Sequence, residues 1–195
     1  MGNLILIKHS LPEMIPSVPA SQWQLSKIGR LRCKILAEKL SCYSPDFIIS
    51  STESKAIETA QIVADHLHHT FQIVEGLQEH DRSNVAWRSR KQFEAQIMEF
   101  FRYPQSLMMG KETAAQASTR FTQAVTGLID KHLGHNIAIV AHGTVITLLM
   151  AKAFDLDPFS FWKRLGLPSF MVLSLPKMEL VTIVESVEEV NEINL

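Results

Sequence analysis

Two histidines close the two most apolar strand-like runs of the chain. His9 follows Leu4-Ile5-Leu6-Ile7-Lys8, and His142 follows Ile137-Ala138-Ile139-Val140-Ala141. Continuous apolar runs of this length read as buried parallel strands, and open α/β sheets do their chemistry at the carboxyl ends of strands. A third strand-end turn, Ser50-Ser51-Thr52-Glu53-Ser54-Lys55-Ala56, brings small hydroxyl residues and a lysine in the first turn of a helix. The helix dipole opposes a cation there, by under about 1 kcal/mol when exposed, so an anion would satisfy the turn. His142-Gly143-Thr144 repeats the arrangement at another helix start, and Lys8 stands beside His9. Two histidines, two lysines and two helix N-termini on one sheet edge describe a phosphate pocket.

The residue types fix the chemistry expected of such a pocket. A neutral imidazole is a competent nucleophile toward phosphorus, and the resulting phosphohistidine is open to attack by water. Cations and helix-end N–H groups stabilise charge on the equatorial oxygens. Leu77-Gln78-Glu79-His80-Asp81 supplies carboxyl groups after a short third strand, and Glu79 is best placed to protonate the leaving oxygen. His80, Asp81 and Glu13 are its rivals for that role. Lysine and imidazolium supply the positive charge, so neither a metal nor another cofactor is expected.

The elements that must position these groups alternate along the chain. Strands are expected at 4–8, 47–49, 71–74 and 136–141, and helices from Ser26, after Thr52, near 112–132 and from Thr144. Two antiparallel strands, Phe170 to Leu175 and Leu180 to Val184, finish the chain around a turn at Pro176-Lys177. The pattern predicts a three-layer α/β/α sandwich with a mainly parallel sheet and an antiparallel edge. Residues 77–110 break the rhythm and read as a helical lid over the sheet edge within a single domain, 1–195. The 195 residues are 46% hydrophobic, and 19 Lys and Arg face 20 Asp and Glu. That balance gives no basic footprint for nucleic acid. Leu4 to Ile7 is too short for a signal-peptide core and no stretch reaches the length of a membrane span, so a cytoplasmic location is expected.

Taken together, these motifs resemble the histidine phosphatase superfamily, which includes the cofactor-dependent phosphoglycerate mutases and many small phosphatases. The family's Arg-His-Gly stands here as Lys8-His9-Ser10, and Trp-x-Leu-Thr/Ser-x-x-Gly as Trp23-Gln24-Leu25-Ser26-Lys27-Ile28-Gly29. Ser-Ser-x-x-x-Arg-Ala-x-x-Thr-Ala stands as Ser50-Ser51 through Lys55-Ala56 to Thr59-Ala60, Leu-x-Glu as Leu77-Gln78-Glu79, and the second histidine motif as Val140-Ala141-His142-Gly143-Thr144. The resemblance implies a phosphatase in which His9 accepts the phosphoryl group, Glu79 donates the proton and His142 holds a phosphate oxygen. Lys8, Lys55, Ser10 and Gly143 would complete the phosphate pocket. The implied substrate is a small phosphorylated metabolite or a phosphoprotein.

Both pocket arginines of the family are lysine here. Lysine keeps the charge and loses the planar fork, a loss of about 1–3 kcal/mol per charged hydrogen bond. The rival reading is therefore a weak or inactive relative that binds a phosphorylated ligand or a protein partner. A mutase fits less well, and a metal-dependent hydrolase would be sensitive to chelators. Arg82, Arg88, Arg90 and Lys91 read as a solvated helix face rather than a second anion site. His66, His68 and His69 lack further ligands for a metal site.

Overall fold

A computed structural model describes residues 2–187. The apolar run before His9 forms β1 (Asn3–Lys8), whose Leu4 to Ile7 are fully buried, and the run before His142 forms β4 (Ile137–Ala141), buried throughout. With β2 (Phe47–Ser50) and β3 (Phe71–Ile73) they make the parallel part of a six-stranded sheet. The antiparallel part is β5 (Ser169–Ser174) on β1 and β6 (Glu179–Val184) on β5, giving the order β3-β2-β4-β1-β5-β6.

Strand alternation sorts the core into two halves. Ile5, Ile7, Ile48, Ala138, Val140 and Val172 pack under α1 (Lys27–Ser41) and α2 (Ser54–Leu67). Leu4, Leu6, Ile49, Ile137, Ile139 and Met171 point the other way, into α3 (Arg90–Arg102), α4 (Ala114–Lys131), α5 (Gly143–Phe154) and α6 (Pro158–Arg164). The fold is the expected α/β sandwich of helices on both faces of a mainly parallel sheet.

Local signals explain the helix starts. Ser26 caps α1 by accepting the Gly29 N–H, while Ser89 with Gln92 and Thr113 with Gln116 close capping boxes on α3 and α4. Gly29 is a close-approach position: a Cβ there would sit 2.1 Å from the Leu11 carbonyl oxygen. That contact seats the start of α1 directly behind the turn that carries His9. Residues 77–110 hold α3 between two irregular stretches, and its Ile97, Phe100 and Phe101 join the core. The prolyl start of α6 after an Asp157 cap was a readable signal. The expected pattern nonetheless ran from α5 straight to β5. Among the described residues no helix is long and apolar enough to cross a membrane.

Candidate active site

The three neighbouring strands β2, β4 and β1 end level with one another. Their ladders run one residue further, with the His9 N–H on the Ala141 carbonyl at 3.0 Å and the Ser51 N–H on the Val140 carbonyl at 2.9 Å. His9, His142 and Ser51 are thereby brought to one edge, and the two imidazole centroids lie 5.2 Å apart.

His9 is nearly buried, and its Nδ1 lies 2.8 Å from the Ser10 carbonyl oxygen. A carbonyl only accepts, so Nδ1 carries the proton and Nε2 keeps a free lone pair. Burial, with His142, Lys55 and Lys8 nearby, holds the His9 pKa well below that of an ordinary histidine. The ring therefore stays neutral and nucleophilic far into the acid range.

His142 is fully buried at the N-cap of α5. Its Nε2 meets the Ser51 hydroxyl at 2.6 Å, and that hydroxyl also accepts the Glu53 N–H at 3.3 Å. The Ser51 hydroxyl proton has no other acceptor among the described residues, so it goes to Nε2, and the neutral ring carries its own proton on Nδ1. This buried N–H finds no partner among the described residues. Burial and Lys55 hold His142 neutral as well, against the opposing pull of Glu79.

Glu79 caps the same helix from outside it. One carboxylate oxygen accepts the Thr144 N–H at 3.1 Å and the other the His80 N–H at 2.9 Å. Burial pushes the Glu79 pKa up, but Arg82, His142 and the His80 N–H outweigh it, and the group ionises more readily than usual. Its rivals lie elsewhere. His80 turns its Nε2 to the Met109 and Glu112 carbonyls, each at 3.0 Å, Asp81 caps the Ser83 N–H, and Glu13 is exposed.

The two lysines reach the site with their ammonium groups already engaged. Lys8 donates to the Leu165 carbonyl at 2.6 Å, at the end of α6. Gly143 leaves room for this side chain: a Cβ there would sit 3.0 Å from Lys8 Cε. Lys55 is 4% exposed, donates to the Ala20 carbonyl at 2.7 Å and pairs with the Glu53 carboxylate. Ser10 is beside His9, but its hydroxyl donates to the Gly29 carbonyl and its N–H to Thr59 Oγ1. Its donors hold the turn in place and are not directed at a ligand.

Burial lowers the Lys8 pKa to about 8 against the raising influence of Glu79. The ammonium is charged below that value and lost above it. If the cation helps bind an anionic substrate, kcat/KM on p-nitrophenyl phosphate is expected to fall above about pH 8. Histidine titration should leave no limb near pH 6.5, because both rings stay neutral there. In Lys8→Arg the alkaline limb is expected to move up by more than a pH unit, since arginine does not deprotonate in that range. A limb left in place would show that another group controls it.

A cleft of about 1510 Å³ opens over this cluster, with Lys8, Glu53, Glu79 and Arg82 in its wall and His9 and His142 set back from its lining. Nine lysine and arginine side chains line it against five acidic ones, although the chain as a whole is net −1. The model of the histidine phosphatase superfamily, branch 1, matches residues 16–180. The chain belongs to the histidine phosphatase superfamily. His9 and Lys8 precede the matched stretch, while Glu79 and His142 fall inside it.

Solved structures resemble the chain along nearly its full length. A mycobacterial glucosyl-3-phosphoglycerate phosphatase superimposes with a TM-score of 0.74 at 19% identity, covering 95% of this chain and 100% of that one. A phosphoserine phosphatase from Entamoeba histolytica gives 0.77 at 18%, with 95% and 98% covered. The Bacillus stearothermophilus protein YhfR gives 0.75 at 22%, with 95% and 96% covered. No curated protein matches the chain.

Three site residues escaped the sequence reading. Glu53 heads α2 without capping it. It instead accepts the Glu79 N–H at 2.9 Å, pairs with Lys55 and approaches His142 Nε2 at 3.8 Å. Its position two residues before a buried lysine was the available signal. Arg120, on α4, donates to the Gly76, Gln78 and Glu79 carbonyls and so clamps the loop that carries Glu79. No local pattern marks it. Arg82, read as part of a solvated face, is half-buried in the cleft wall. His66, His68 and His69 are exposed at the far end of α2, and no group of three or more metal-ligating side chains occurs among the described residues.

Proposed function

We propose that the protein is a phosphatase that hydrolyses phosphate monoesters through a phosphohistidine on His9, without a metal. The observation that carries this reading is the His9 tautomer. Its Nδ1 is committed to the Ser10 carbonyl, so the neutral Nε2 holds its lone pair ready beside the unpartnered His142 N–H.

The His9 Nε2 lone pair forms the N–P bond as the P–O bond to the leaving group breaks. His142 Nδ1–H and the N-terminal N–H groups of α5 hold the phosphoryl oxygens. Bound phosphate charge raises the Glu79 pKa, so the carboxyl is protonated when it is needed and gives its proton to the departing oxygen. The resulting carboxylate then takes a proton from water as the water oxygen attacks phosphorus. The N–P bond breaks, inorganic phosphate leaves, and the lone pair returns to Nε2.

The cationic balance of the cleft supports an anionic substrate larger than phosphate itself, a small phosphorylated metabolite or a phosphoprotein, met in the cytoplasm. Residues 77–110 act as the lid of a single domain, since they carry both Glu79 and the aromatic wall of the cleft. The test is turnover of p-nitrophenyl phosphate and a panel of phosphorylated metabolites by the purified chain, with and without EDTA. Hydrolysis indifferent to EDTA supports the reading. Absence of turnover, with phosphate still protecting against thermal unfolding, would replace the enzyme by a binding protein.

A further inference from the structure

Both pocket lysines are tied to protein acceptors, Lys8 through one hydrogen bond and Lys55 through two, whereas a different cation has a buried donor with no partner among the described residues. Lys8 is held by the Leu165 carbonyl, and Lys55 by Ala20 and Glu53. Arg82 lies three residues beyond Glu79, in the wall of the same cleft. Its guanidinium packs over the Phe93 ring, 4.7 Å from the centroid, and its buried Nη1 finds no partner among the described residues. Stacking on an aromatic face fixes the plane of the fork and leaves its edge donors free for an anion. The same guanidinium is the strongest of the charges that lower the Glu79 pKa, and it also acts on His142 and Lys55.

We propose that Arg82 supplies the planar guanidinium that grips the phosphoryl oxygens, in place of the forks that positions 8 and 55 lack. This deepens the phosphatase reading and rests on it. The acid and the fork then arrive from one loop. Glu79 and Arg82 face the substrate together, and Phe93 of α3 ties their placement to the segment over the cleft. An anion bound by Arg82 also draws its charge away from Glu79, which is what allows that carboxyl to take up a proton.

The experiment compares wild type with Arg82→Ala, Arg82→Lys and Arg102→Ala, whose native arginine is exposed outside the cleft beside Glu99. Inorganic phosphate is the binding probe and p-nitrophenyl phosphate the substrate. Melting without phosphate establishes that each variant folds. Arg82→Ala is expected to lose kcat/KM by about 100-fold to 1,000-fold, largely in kcat. It should bind phosphate roughly tenfold to a hundredfold more weakly. Arg82→Lys should fold like wild type and recover only a small part of both losses. Added guanidinium ion, but not ammonium, should restore part of the activity of Arg82→Ala, a rescue that a merely structural arginine would not show. Arg102→Ala should match wild type. The proposal is overturned if Arg82→Ala keeps both phosphate affinity and kcat/KM, or if Arg82→Lys matches wild type. Should wild type show no turnover, the phosphatase reading fails while the phosphate measurements still decide the role of Arg82. Wild type unprotected by phosphate would overturn the proposal outright.

Discussion

His9→Ala is expected to hydrolyse p-nitrophenyl phosphate at least about 10⁴-fold more slowly than wild type while keeping its fold, the scale on which nucleophile removal acts in acyl-transfer enzymes. No neighbour is placed to take over. His142 has its unprotonated nitrogen on the Ser51 hydroxyl, and His80 faces the Met109 and Glu112 carbonyls. What remains is direct attack by water, helped by Glu79 and the phosphate-holding donors. The stability cost should be small, on the order of 1 kcal/mol, because the ring's hydrogen bond is to its own neighbour Ser10. Initial rates paired with thermal melts check both halves. A variant retaining a hundredth of the wild-type rate would mean that some other group attacks phosphorus.

Lys55→Met should act on stability more than any other substitution in the site. The Lys55 ammonium and the Glu53 carboxylate are both nearly excluded from water, at 5% and 10% side-chain exposure. Removing the cation strands Glu53 beside Glu79, whose N–H it accepts, in a place where water cannot screen the two carboxylates. The expected cost is about 3–5 kcal/mol at pH 7, the range for a buried pair broken on one side. Glu53→Gln/Lys55→Met removes both charges and keeps an oxygen for the Glu79 N–H. It should recover more than half of that loss. Urea denaturation of the three proteins gives the comparison directly. A single-variant cost below about 1 kcal/mol would show that the pair is solvated and contributes as a surface ion pair does.

The histidines and the fold around them were legible because their signals are local. Leu4 to Ile7 and Ile137 to Ala141 announce buried strands, and the residue after each lies at the carboxyl edge by geometry alone. Ser26 announced α1 in the same way. What was not legible depends on packing between distant segments. Glu53 looks like any acidic residue at a helix start, and its role appears only when the 75–79 loop and Lys55 are folded against it. Arg82 was read as solvated because it falls in a run of charges with Arg88, Arg90 and Lys91; its contact with Phe93 lies eleven residues on. Arg120 reaches the Glu79 loop across more than forty residues of chain. Both lysines come to the carboxyl edge of the sheet, but their carbonyl and carboxylate partners lie at the end of α6, the turn at Ala20 and the head of α2. Charge alone therefore overstated how free they are to hold a ligand.

The central claim is a covalent bond between His9 Nε2 and phosphorus. Rapid acid-free quenching of the enzyme during turnover, followed by alkaline denaturation and peptide mass spectrometry, tests it most directly. The account predicts a phosphorylated peptide carrying the group on His9, stable to alkali, lost on mild acid treatment and absent from His9→Ala. Turnover with no phosphorylated peptide under conditions where Glu79→Gln slows hydrolysis of the intermediate, or phosphate found on any other residue, would contradict it.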